Sequence, residues 1–183
     1  MTERGNRAAL EFSEYLADLI DDRRHKSSHY ADDVMGRLID GLGDRDRLSD
    51  LALIQNCISI LNAGHETTTK LICNGVAALF EHPAQLARLQ QEPGLIDSAV
   101  EEFPRFESFN QLGNRRVAEV TMVGGVAMEA GTYIHLCSGA ADRDPSQFTD
   151  PEALNIERRP NRHLAFNSVT HACAGMSLAR LEG

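Results

Sequence analysis

None of the four cysteines (Cys57, Cys73, Cys137 and Cys173) stands in a CxxC pair, which leaves a zinc ribbon or a redox dithiol poorly supported. No apolar run is long enough to span a bilayer. The polar start Met1-Thr2-Glu3-Arg4-Gly5 lacks the apolar core of a signal peptide. Cytoplasm is therefore the expected compartment, and its reducing conditions argue against disulfides. Basic residues are outnumbered, 18 Lys and Arg against 27 Asp and Glu, for a net charge of −9. A general nucleic-acid-binding surface is excluded on that ground. There is no internal repeat and no low-complexity segment. What remains is a chain of 183 residues, 42% hydrophobic and 25% charged, with the size and balance of one globular domain.

Apolar periodicity divides that chain. Leu10, Phe12, Tyr15, Leu16, Leu19 and Ile20 recur at helical spacing between Ala8 and Arg24. A polar segment to Tyr30 follows, then a short helix over Asp32 to Leu42 ended by Gly41 and Gly43, and a charged turn from Gly43 to Arg47. Ser49 is placed to cap a long, mostly apolar helix over about residues 49–80, which should be buried. Its middle, Ala63-Gly64-His65-Glu66-Thr67-Thr68-Thr69, is small and polar. That is either a satisfied kink, with threonine bonding back one turn, or the wall of a ligand cavity. Short helices are expected over Ala84 to Gln91 and over about 95–106. In the latter, Glu102 and Arg105 share a face and Pro104 should bend the backbone. From about 115 to 138 the period becomes that of strands: Val117 to Val123, Gly125 to Met128 and Thr132 to Cys137. A short helix is expected over Gly139 to Arg143, and Phe148 to Arg162 reads as loop.

The most informative stretch is Phe166-Asn167-Ser168-Val169-Thr170-His171-Ala172-Cys173-Ala174-Gly175. It places a cysteine among small residues directly before good helix formers. Free backbone N–H groups and the positive end of a helix dipole favour a thiolate there, so Cys173 suits an anionic ligand or nucleophile. The plainer alternative is a cysteine that packs in a loop. A zinc site from His163, His171 and Cys173 matches no standard spacing.

Taken in order, Ala63-Gly64-His65-Glu66-Thr67-Thr68, Glu102-Phe103-Pro104-Arg105, the segment Leu154 to His163, and Phe166 to Gly175 resemble the cytochrome P450 family in its soluble bacterial form. The likeness covers essentially the whole chain, as the C-terminal portion of that domain. It implies a mainly α fold with a small β-region, and a haem-thiolate monooxygenase that inserts one oxygen atom from O2 into a small organic substrate. Haem b is the implied cofactor. Electrons would come from NAD(P)H through a ferredoxin-type donor and its reductase, with no nucleic acid and no membrane span. By the resemblance Cys173 is the axial iron ligand, in a loop where Phe166 and Gly175 also face the cofactor. Ala63 and Gly64 leave room for dioxygen, and Thr67 with Glu66 delivers protons. His163 and Arg116 hold the propionates, Arg115 being the less favoured substitute, and the basic cluster near Cys173 receives an acidic donor protein. Glu102, Arg105 and Arg158 form a buried structural triad.

The sequence departs from the family in three respects. The likeness begins at the helices just before the long central one, so exposed apolar patches should follow. Asn167 and Val169 stand where the family has glycine; Asn tolerates a left-handed backbone and a β-branched residue does so poorly. Pro104 should disturb Glu102 and Arg105. The alternative function is accordingly a truncated, non-catalytic remnant that binds a partner or fails to hold haem stably.

Overall fold

The computed structural model describes residues 2–25, 33–41 and 47–183. It divides into two compact units, Met1–Ala63 and Gly64–Gly183.

The first unit is helical. α1 (Glu3–His25) buries Leu16 and Ile20, two of the periodic positions named above. α2 (Val34–Asp40) is capped by Asp33, whose Oδ1 accepts from the Gly36 N–H at 2.8 Å, and Gly41 closes it at φ 64°. Asp32 and most of the expected charged turn at Gly43 to Arg47 lie outside the described residues. Arg23 pairs with Asp33, and Arg24 reaches Asp50 at 2.6 Å. α3 (Asp50–Glu81) starts as expected, with the Ser49 hydroxyl accepting from Ala52 N–H at 3.3 Å. It runs unbroken through the polar middle, where Thr69 bonds back to the His65 carbonyl at 2.7 Å. The back-bond forms, but it does not interrupt the helix.

The second unit carries the main core. Leu71, Ala78 and Leu79 of α3 pack with Ala99, Val100, Phe103 and Phe106 of α5 (Ile96–Phe106), closed by Leu154 and Ile156 of the long loop. α4 (Pro83–Gln91), started by its proline, adds Leu86 and Leu89 at the edge. The α3–α5 approach depends on Gly75, where a Cβ would stand 2.6 Å from the Phe103 ring. Pro104 does not break α5. It is buried near the C-terminal end of that helix, so the hydrogen bond it forfeits is among the last, and the Glu107 N–H still reaches the Phe103 carbonyl at 2.8 Å.

The β-region comprises two antiparallel ladders. β1 (Gly113–Arg116) pairs with β4 (Tyr133–Leu136), and β2 (Thr121–Val123) with β3 (Val126–Met128) across a Gly124-Gly125 turn whose φ angles are 57° and 80°. The first strand therefore lies earlier than the Val117 to Val123 reading, because β4 sets the register against 113–116. α6 (Ser138–Ala141) leads into the irregular segment 142–168, and α7 (Met176–Glu182) follows the cysteine loop.

Apolar residues stay open on this unit. Ile72, Val76 and Phe80, spaced four apart on α3, are 42%, 45% and 71% exposed, and Leu181 of α7 is 82% exposed. That accords with the expected patches. Among the described residues no helix is long and apolar enough to cross a membrane.

Candidate functional site

Glu102 and Arg105 are both fully buried, so they are not the surface pair that their spacing alone permits. Arg105 Nε and Nη2 donate to the Glu102 carboxylate at 2.7 and 2.8 Å, in the fork geometry that makes such pairs strong. Arg158 Nε, from the long loop, reaches both Glu102 oxygens at 3.1 Å, and Asn161 Nδ2 adds a bond at 3.0 Å. The remaining Arg105 donors go to the carbonyls of Asp142, Pro151 and Ala153. A buried ion network thus clamps segment 142–161 onto α5. The geometry is intact despite Pro104, which corrects the expected disturbance.

Segment 164–175 lies beyond this clamp. The Cys173 N–H donates to the Phe166 carbonyl at 2.9 Å, closing the loop, and the chain then enters α7. Cys173 is a free, exposed thiol. A Cβ at Gly175 would sit 3.9 Å from its sulfur, an ordinary contact distance. Phe166 is buried between Phe109, His163 and Arg180, and anchors the loop rather than facing outward. Asn167 and Val169 both take positive φ, 58° and 56°. These are the two positions at which the sequence departs from glycine. Asn167 accommodates the left-handed backbone, whereas Val169 holds it against the steric preference of a β-branched residue.

A cavity of about 400 Å³ opens beside the loop, lined on one side by Arg115, Leu136, Cys137 and Ala141 and on the other by Leu164, Asn167 and His171. The cation at this cavity is Arg115. Arg116 points the other way along β1, as strand alternation requires, and its guanidinium lies 5.6 Å from the centre of the Tyr133 ring. Of the two arginines, the cavity is lined by Arg115, the one the resemblance favours less. His163 is also drawn off: its ring is buried, with Nε2 donating to Glu101 Oε2 at 3.0 Å. Arg180 of α7 binds the same carboxylate. With the imidazole N–H and the guanidinium both donating to it, the Glu101 carboxyl is held down to about 2. Sequence reasoning missed Glu101 and Asp142, which only burial and partner geometry distinguish from ordinary polar residues. It also missed the place of His171 in the cavity lining.

In α3, Glu66 is exposed and ion-paired with Lys70 at 2.5 Å, one turn on, and that bond lowers its carboxyl pKa. Thr67 is half-buried, and a side chain at Gly64 would meet nothing within 4 Å. Among the described residues, no group of three or more His, Cys, Asp or Glu side chains could hold a bare metal ion. A metal here needs a carrier that supplies most of its ligands. One exposed thiol, on the same loop as a histidine that lines a cavity with an arginine, is a donor set that suits an iron porphyrin bearing carboxylates.

The comparisons agree with that chemistry. The family model for cytochrome P450 matches residues 1–183. The biotin biosynthesis cytochrome P450 of Bacillus subtilis is 42% identical over 178 residues, which is 97% of this chain and 44% of that protein. The vitamin D(3) 25-hydroxylase of Pseudonocardia autotrophica is 40% identical over 181 residues, again 97% and 44%. Among solved structures, P450BioI in complex with an acyl carrier protein ligated to hexadec-9Z-enoic acid superposes with a TM-score of 0.89 at 41% identity, covering 98% of this chain and 45% of that one. The chain belongs to the cytochrome P450 family, and it spans less than half the length of the curated relatives it matches.

Proposed function

We propose that this chain supplies the thiolate-bearing side of a haem monooxygenase that inserts one oxygen atom from O2 into a small organic substrate. The observation that carries the reading is the free, exposed Cys173 thiol, on a loop closed by its own backbone whose residues Asn167, Ser168 and His171 line the cavity with Arg115. Cys173 would be the axial ligand of haem b, with the small neighbours Ala174 and Gly175 allowing close approach. Arg115 and His171 would hold the propionates, for which a guanidinium and an imidazole are suitable donors. His163, taken up by Glu101, would fix the entry to the loop. A bound haem-thiolate supplies electron density that favours O–O cleavage.

The other roles fall to α3. Ala63 and Gly64 would leave space for dioxygen, and Thr67 and Glu66 would pass protons toward it. For that, the Glu66 carboxylate exchanges its bond to Lys70 for one to water or to Thr67. Electrons would come from NAD(P)H through a ferredoxin-type protein and its reductase, in the cytoplasm. A second reading, that the chain is a non-catalytic fragment which does not retain haem, is favoured by one observation: Val169 at φ 56°.

One spectrum decides between them. Haemin is added to the purified chain, reduced, and exposed to carbon monoxide. The strongly red-shifted Soret band of thiolate-ligated haem, lost in Cys173→Ala, is the result expected. A band unaffected by Cys173→Ala rules out the proposed ligation and supports the fragment reading.

A further inference from the structure

Asp142 is fully buried, at 0% exposure, between the ion network and the cysteine loop. Its backbone carbonyl accepts from Arg105 Nη1 at 2.9 Å, and its side-chain Oδ1 accepts from the Leu164 N–H at 2.6 Å. One residue therefore joins the Glu102–Arg105 network to the first residue of the loop segment that borders the cavity. The second carboxyl oxygen, Oδ2, is enclosed and has no hydrogen-bond partner.

An ionised carboxylate in that position needs a cation, and the cations near it are spent. All five N–H groups of Arg105 are committed: two to Glu102, and three to the carbonyls of Asp142, Pro151 and Ala153. His163 directs Nε2 to Glu101 and takes the Ala165 N–H at Nδ1, so neither of its ring nitrogens is available to Asp142. A bare buried charge costs far more than one unmade hydrogen bond. We propose that Asp142 is a positioning residue that ties the cysteine loop to the Arg105 network as an uncharged carboxylic acid. Burial acts in the same direction, pushing this carboxyl above the ordinary aspartate value of 3.8.

The sign of the pH effect follows. A carboxyl whose folded value is raised contributes fully below its unfolded value, and that contribution is lost as pH rises through the folded value. Raising the pH above the ordinary aspartate value should therefore loosen the loop at Leu164. Glu101, whose value is lowered, fails at the opposite, acid end. The anchor stands on contacts within this chain; its value for haem binding rests on the function proposed above.

The test is amide hydrogen exchange of the haem-free full chain, read on peptides covering 164–175 and corrected for intrinsic exchange, from about pH 4 to 9. In the wild type, protection should fall as pH rises. Asp142→Asn, which keeps an acceptor for the Leu164 N–H and carries no charge, should retain protection and flatten the profile. Asp142→Ala should lose protection about tenfold or more. The proposal is overturned if wild type and Asp142→Asn have the same pH profile, or if Asp142→Asn loosens the loop as much as Asp142→Ala. Haemin titration of the same variants then reads the function separately. Loss of haem binding in every variant, with the exchange pattern as expected, defeats the haem reading and leaves the anchor standing.

Discussion

Glu101 and Glu102 are neighbours in α5 and serve two separate charge systems. Glu102, fully buried, neutralises Arg105 and Arg158 and fastens the long loop. Glu101, on the outer side of the same helix, joins His163 before the cysteine loop to Arg180 after it. Both ends of that loop are thus referred to one turn of helix.

Replacing Glu102 with Gln should strand two buried guanidinium groups. Breaking a buried ion pair in this way costs about 3–5 kcal/mol. A large drop in the urea midpoint, or failure to fold, is the expected outcome. A midpoint within error of wild type would show the network to be unimportant for stability.

Glu101 should set the acid limit of the fold. Its carboxyl lies well below its ordinary value of 4.5, at about 2. The stabilisation is complete above the unfolded value and is lost as pH falls from about 4.5 through about 2, since the unfolded chain binds the proton more readily. A tenfold difference in proton affinity is worth about 1.4 kcal/mol, and solvent screening of this partly exposed group reduces the total. Glu101→Gln should therefore cost about 1–3 kcal/mol at neutral pH. It should also flatten the acid limb of a stability-against-pH curve over that window.

Val169→Gly should relieve the loop. A left-handed conformation costs an L-residue about 1–2 kcal/mol, partly offset by the greater freedom of glycine in the unfolded chain. Haemin affinity should rise by about fivefold, as 1.4 kcal/mol is a factor of ten. Equal or weaker affinity in a titration would count against strain at this position.

Arg115→Gln should weaken haemin binding several-fold while Arg116→Gln leaves it near wild type, because only Arg115 lines the cavity. Equal losses would mean that strand alternation does not decide the partner.

Gly75→Ala gains about 1 kcal/mol of helix propensity. It also sets a methyl group 2.6 Å from the Phe103 ring, and overpacking costs about 1–3 kcal/mol. A net loss of stability in thermal unfolding is expected, and the double variant with Phe103→Leu should recover part of it.

Where the sequence is legible, the reason is local. α3 announces itself by a serine cap and about thirty residues of mostly apolar helix, and the loop by small residues before a helix. Asn167 and Val169 stand out only through the resemblance, which expects glycine at both, and both take the left-handed backbone. Where the sequence misleads, the deciding contact is distant or a matter of phase. Pro104 reads as disruptive when α5 is considered alone, without the core that encloses it. Arg115 and Arg116 are equivalent in composition, and only the register of β1 against β4 tells which side each faces. Asp142 lies near the end of the short helix expected over Gly139 to Arg143, where nothing in the sequence sets it apart. Its burial is created by Arg105, 37 residues earlier, and by Leu164, 22 residues later.

The Glu102–Arg105 network also makes the long loop a part of the core. α5 bears its own carboxylate–guanidinium pair, but the acceptors that complete it are the carbonyls at 142, 151 and 153, and the second cation is Arg158. Without the segment through about residue 161, the inner face of α5 would hold half-satisfied charges that favour water over the core. A stretch with almost no regular structure is therefore what allows a charged helix face to lie inside a dry unit.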